Sequence, residues 1–144
     1  MNFFKIHTNK DELEGTGYFE IGSGKYPQTH WNEGFIFINE YGFEFAEGII
    51  KRHYPEFDHY SMDNDVPSTI AGKIEDEWRE ASNKLYGKSV EEMINILGLE
   101  KTIRDSMKQD WIDESELITT MLRELSDWMK QFRQNQDWVC ILGI

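Results

Sequence analysis

Apolar residues fall along this chain in two regimes. From Phe3 to Ile38 they come in short clusters separated by glycines and polar residues, and from Phe43 onward they recur every three or four residues. The first spacing belongs to strands and the second to amphipathic helices. Phe35-Ile-Phe-Ile38 is the densest apolar run. Four β-branched or aromatic residues in a row predict a central strand covered on both faces. Phe3, Phe4 and Ile6 predict a short strand within Met1–His7. Tyr18-Phe-Glu-Ile21 predicts another, with Gly22-Ser-Gly24 as the hairpin turn after it.

Phe43, Ala46, Ile49, Ile50 and His53 or Tyr54 mark a helix entered through Tyr41-Gly42 and stopped by Pro55; a strand over Phe43-Glu-Phe45 is the alternative. Gly48 inside that helix costs about 1 kcal/mol relative to alanine. Residues 55–67 read as a charged, aromatic loop. Pro67-Ser68 then opens a helix with Ile70, Ile74, Trp78, Ala81 and Leu85 inward, closed by Gly87. Ser89-Val-Glu-Glu92 has the capping-box pattern and opens a short helix with Val90, Met93, Ile94 and Leu97 inward, up to Gly98. Residues 99–107 predict a further short helix. Asp113-Glu-Ser-Glu116 repeats the capping-box logic before a helix striped by Leu117, Met121, Leu125, Trp128 and Phe132, with Ile118, Leu122 and Met129 alongside. Trp138–Ile144 reads as a strand. The expected fold is α+β, one domain over residues 1–144: a small, mostly antiparallel sheet of N-terminal strands plus the C-terminal one, packed with several α-helices.

Composition supports a single core, with 39% hydrophobic and 14% aromatic residues in 144. Charge changes the picture more. The formal net charge is −12, and both halves of the chain carry the acidic excess. Nucleic acids and anionic membranes are poor partners for such a surface, because binding them takes a basic patch that displaces counterions. A protein with a basic surface is the electrostatic complement. Cys140 is the single cysteine, so no internal disulfide forms, and Val139 and Ile141 beside it suggest a buried thiol. The N-terminal residues carry no secretory pattern and no stretch approaches a membrane span, so the expected location is cytoplasmic.

Candidate chemistry is sparse. His7, His30, His53 and His59 include no pair at zinc-protease spacing, and no Cys-x-x-Cys or Gly-x-Ser-x-Gly occurs. Asp63-Asn-Asp65 lacks the glycine and terminal glutamate of a calcium loop. Neither a cofactor nor a metal is expected, nor an enzyme. Gly22-Ser-Gly24 is not followed by the helix of a phosphate-binding loop. The informative feature is a set of aromatics, Trp31, Tyr54, Phe57 and Tyr60, placed among carboxylates: anchors with an acidic rim if exposed, core if not.

Phe43-Glu-Phe-Ala-Glu-Gly-Ile-Ile50, Pro55-Glu-Phe-Asp-His-Tyr60, Val66-Pro67 before an acidic helix with Trp78, and Ile141-Leu-Gly-Ile144 after an amphipathic helix together resemble small bacterial immunity proteins of polymorphic and contact-dependent growth-inhibition toxin systems. The resemblance covers about residues 35–78 and the last thirty. It implies a cytosolic, non-enzymatic protein that binds and neutralises one cognate toxin, often a nuclease with a basic cleft. On that reading acidic side chains stand in for the phosphates the toxin would bind. The expected contacts are Asp58, Tyr60, Asp63 and Asp65, followed by Glu75 and Asp76. Two other classes compete with it: a small metal-dependent hydrolase using His53, His59 and nearby carboxylates, and a homo-oligomeric adaptor subunit.

Overall fold

The structure, a computed structural model, describes residues 2–100 and 102–144. Its elements in order are β1 (Ile6–His7), a 3₁₀ turn (Lys10–Glu12), β2 (Tyr18–Ser23), β3 (Ile36–Asn39), α1 (Glu40–His53), β4 (Asn64–Pro67), α2 (Ser68–Lys84), α3 (Val90–Leu97), α4 (Asp105–Arg133) and β5 (Trp138–Leu142). The strands form one antiparallel sheet in the order β1-β3-β2-β5-β4. This is the α+β fold that the periodicities predict. No helix among the described residues is long and apolar enough to cross a membrane.

Strand period divides the sheet into two faces. Phe19, Ile21, Ile36, Ile38, Val66, Val139 and Ile141 pair with one another in register and join the helices in one core. On the opposite face Glu20 pairs with Phe37 and Leu142, and Cys140 with Gly22; Glu20, Phe37, Cys140 and Leu142 are buried as well. The connection between β2 and β3 lies over this second face: Trp31 packs on Phe37, and the Phe35 ring occupies the space where Gly22 would carry a Cβ. Glu20 holds the connection down. Its carboxylate, 1% exposed, accepts hydrogen bonds from the backbone amides of Trp31 and Asn32 and from the Asn32 side chain, while His30 Nδ1 lies 3.3 Å away. Gln28 and Trp31 adopt φ of 68° and 60° within the same connection. Left-handed backbone at non-glycine residues persists where surrounding bonds over-determine it, and at Trp31 the Glu20 bonds supply that constraint.

Several expectations need correcting. Gly22-Ser-Gly24 is no hairpin turn, because Gly22 and Ser23 continue β2 against Cys140 and Val139 of β5, and only Gly24 (φ 82°) turns the chain. β3 is not the middle strand; β2 is. α1 starts at Glu40 with Asn39 as its cap, so Tyr41 and Gly42 are already helical. β4 lies where the composition predicts loop, and its pairing with β5 makes it a strand. The segment 99–104 that follows α3 is not helical where described, and α4 begins only at Asp105. Asp113 does not start a helix either: α4 runs through it with a kink at Glu114 (φ −127°, ψ 25°). The buried stripe of α4 is centred on Ile118, Met121, Leu122, Leu125, Met129 and Phe132, leaving Leu117 exposed and Trp128 half-buried. The capping box at Ser89 and Glu92 is present as read, and Gly98 closes α3 in the left-handed conformation.

Gly48 has a packing reason to be in α1. A Cβ there would lie 2.3 Å from the Leu97 carbonyl oxygen and 2.6 Å from that of Gly98. Backbone carbonyls do not yield as side-chain tips do. Gly48→Ala should therefore destabilise by about 1–3 kcal/mol in urea unfolding, despite the better helix propensity of alanine.

Candidate functional site

α1 buries Phe43, Phe45, Ala46, Ile49 and Ile50. Four of its charged residues, Glu40, Glu44, Glu47 and Lys51, recur at four, three and four, which puts them on one stripe. That stripe lines an open cleft of about 440 Å³, whose other walls include Leu99, Ile103 and Arg104 on one side and His59 and Tyr60 on the other. The charges in it are largely matched. Glu44 pairs with Arg104, Glu47 with Lys51 at 3.5 Å, and His59 lies between Glu47 and Glu40.

The turn carrying His59 and Tyr60 is bonded on every side. Asn64, 2% exposed, accepts from the Asp58 amide through Oδ1 and donates through Nδ2 to the carbonyls of Asp58, Ser61 and Ile141. The Gly143 amide donates to the Ser61 carbonyl at 2.8 Å and the Ile144 amide to that of His59 at 3.0 Å. A Cβ on Gly143 would meet these same carbonyls, so glycine is what permits the close approach. Asp58 Oδ1 accepts from the Tyr60 amide. From this braced turn Tyr60 projects with 77% of its surface exposed, beside exposed Met62, Asp58 and Asp63. Among the described residues neither Asp58 nor Asp63 takes part in an ion pair; the ion pairs of this region engage Glu40, Glu44 and Glu47 instead.

No family model, no curated protein and no solved structure matches this chain. The resemblance to immunity proteins therefore stands on the sequence pattern alone.

The expected contact residues separate into three places. Asp58, Tyr60 and Asp63 share the exposed turn. Asp65 lies on the other face of the sheet, in register with Cys140, and its Oδ1 accepts from the Tyr26 amide at 2.7 Å. Burial raises its pKa against the effect of that bond, and the Asp63 charge adds to the rise. Glu75 is not a surface contact: it is 4% exposed and ion-paired with Arg133 at 2.5 Å, in the seam between α2 and α4. Asp76 is exposed, near the same arginine, whose pKa is raised mainly by the bond to Glu75. Of the aromatics, Phe57 is core, while Tyr54 is half-buried and donates to the Asp65 carbonyl. Met62 escapes sequence reasoning, since a lone methionine carries no pattern signal.

His53 and His59 do not converge. His53 Nε2 lies 2.7 Å from Glu77 on α2, whereas His59 engages Glu40 and Glu47. Among the described residues, no group of three or more His, Cys, Asp or Glu side chains is arranged to hold a metal. Cys140 is fully buried, and burial raises its thiol pKa to about 12, far from the range of a nucleophile at neutral pH.

Proposed function

We propose that this chain is a toxin-neutralising immunity protein whose recognition surface is the turn around Tyr60, with Asp58, Asp63 and Met62 as its immediate rim. The observation that carries the reading is the combination of 77% exposure at Tyr60 with a backbone fixed by Asn64, Gly143 and Ile144. A large aromatic exposed on a mobile tip would be unremarkable. On a fixed tip it is an anchor whose ordering cost has been met before the partner arrives. The net charge of −12 complements a basic partner, the surface expected of a toxin that handles nucleic acid. Asp58 and Asp63 are the carboxylates best placed to occupy phosphate-binding positions, because no cation already engages them among the described residues. Asp65 and Glu75 are withdrawn from that role by their own bonds.

Co-expression tests this. Bacteria carrying the toxin domain encoded by the neighbouring gene should grow normally when this chain is present and stop growing without it. A neighbouring product that is harmless alone, or equally lethal in the presence of the chain, contradicts the reading.

A further inference from the structure

His59 is the hub of the cleft wall. Its Nδ1 lies 2.8 Å and 3.0 Å from the two carboxylate oxygens of Glu47, and its Nε2 lies 3.0 Å from Glu40. Ionised carboxylates only accept hydrogen bonds, so both ring nitrogens have to donate, and only the imidazolium has two N–H groups. The ring packs edge-on against Phe19, with centroids 4.8 Å apart, and the Tyr60 ring follows at the same distance. The His59 carbonyl meanwhile accepts from Ile144.

We propose that His59 is the positioning residue of the Tyr60 turn: its imidazolium ties the turn to α1 at both Glu40 and Glu47, and loss of its proton releases one tie and loosens the surface that presents Tyr60. The proposal rests on the reading of that turn as the recognition surface, but the tie itself is a property of the isolated chain. The neutral ring has a single N–H. Glu47, with a side chain 9% exposed, keeps it; Glu40, 40% exposed, turns to water, leaving a ring lone pair facing its former site. The other charged groups at the cleft are Lys51, which pairs with Glu47, Arg104, which pairs with Glu44, and Glu100 on the far wall; Asp58 lies on the turn itself. Burial works against the charged ring, yet the hydrogen bonds to Glu40 and Glu47 and their charges outweigh it and hold the pKa above 6.5. The stability that the tie contributes is therefore fully present below the ordinary histidine value of about 6.5 and is lost as pH rises through the elevated value of the folded protein.

Histidine-selective NMR on the purified chain, joined to amide hydrogen exchange between pH 5.5 and 9, tests this without any partner. His59 should titrate above the ordinary value, and Glu40→Gln should move its midpoint downward. Exchange at Gly143 and Ile144, corrected for intrinsic rates, should quicken by about tenfold across the His59 midpoint, the loss of one charge-assisted bond. In His59→Gln, which has no titrating ring, the same amides should show no such step. Should His59→Gln fail to fold, the Glu40→Gln midpoint and its matching exchange step still decide. A His59 midpoint at or below the ordinary value, or an exchange step that survives in His59→Gln or ignores the Glu40→Gln shift, overturns the proposal. Each result is independent of whether a toxin binds.

Discussion

Replacing Asn64 with alanine should destabilise the protein by about 3–5 kcal/mol, read from urea unfolding. The side chain is 2% exposed, and its amide serves four backbone groups: the Asp58 amide and the carbonyls of Asp58, Ser61 and Ile141. Removing it takes the acceptor from the Asp58 amide and the side-chain donor from the Ile141 carbonyl, at about 1–3 kcal/mol for each group that water cannot reach, while the carbonyls of Asp58 and Ser61 keep the amides of Ser61 and Gly143. The loss falls on two parts of the fold at once, because Ile141 belongs to β5 and Asp58 and Ser61 to the turn. Asn64→Asp should be nearly as costly, since a carboxylate accepts from Asp58 but cannot donate to three carbonyls. Wild-type stability in either variant would mean that the turn is not braced from within.

Tyr60→Ala should have the opposite profile. Stability should stay within about 0.5 kcal/mol of wild type, as for surface sites free of special structure. Affinity for the cognate toxin should drop by about 2–4 kcal/mol, the loss typical of an aromatic hot spot, read by calorimetric titration. Reversing Asp58 and Asp63 should act differently again, slowing association and flattening its dependence on salt, because exposed charges steer encounters over about 10 Å at 0.1 M ionic strength. An association rate indifferent to ionic strength in the wild type would remove steering from the account. Full toxin affinity in Tyr60→Ala would move the recognition surface elsewhere.

Much of this architecture was legible because hydrophobic period reports burial directly. Phe43 to Ile50, Ile74 to Leu85 and Met121 to Phe132 recur at helical spacing, and those helices form. The capping box at Ser89 was legible since it is purely local chemistry. What escaped depends on partners distant in sequence. β4 reads as loop because Asn64, Asp65 and Pro67 are poor strand formers, and only its pairing with β5 makes it an edge strand, where proline is tolerated. Gly22 looks like a turn residue, yet it is there to admit the Phe35 ring. The Asp113-Glu-Ser-Glu116 signal coincides with a true irregularity, a kink at Glu114 inside α4 rather than a helix start. Glu75 looks like any other carboxylate of an acidic helix until Arg133, 58 residues on, is seen to neutralise it in the seam.

The candidate surface was half legible. The run Asp58-His-Tyr60 stands out as aromatic among charges, which led to Asp58, Tyr60 and Asp63. The role of His59 does not stand out, because its two acceptors, Glu40 and the buried Glu47, come from the polar stripe of a helix twelve or more residues earlier. Nor could the sequence indicate that the turn is rigid. Rigidity comes from the Asn64 amide and from the backbone of Gly143 and Ile144, none of which has a pattern of its own.

The most direct measurement is amide hydrogen exchange of this chain free and in complex with its toxin. A recognition surface centred on Tyr60 predicts new protection across residues 58–63 and along the polar stripe of α1 from Glu40 to Lys51, with α2 and the kink of α4 unchanged. Protection confined to α2, α4 or the connection over Glu20, with residues 58–63 exchanging as in the free chain, would contradict it.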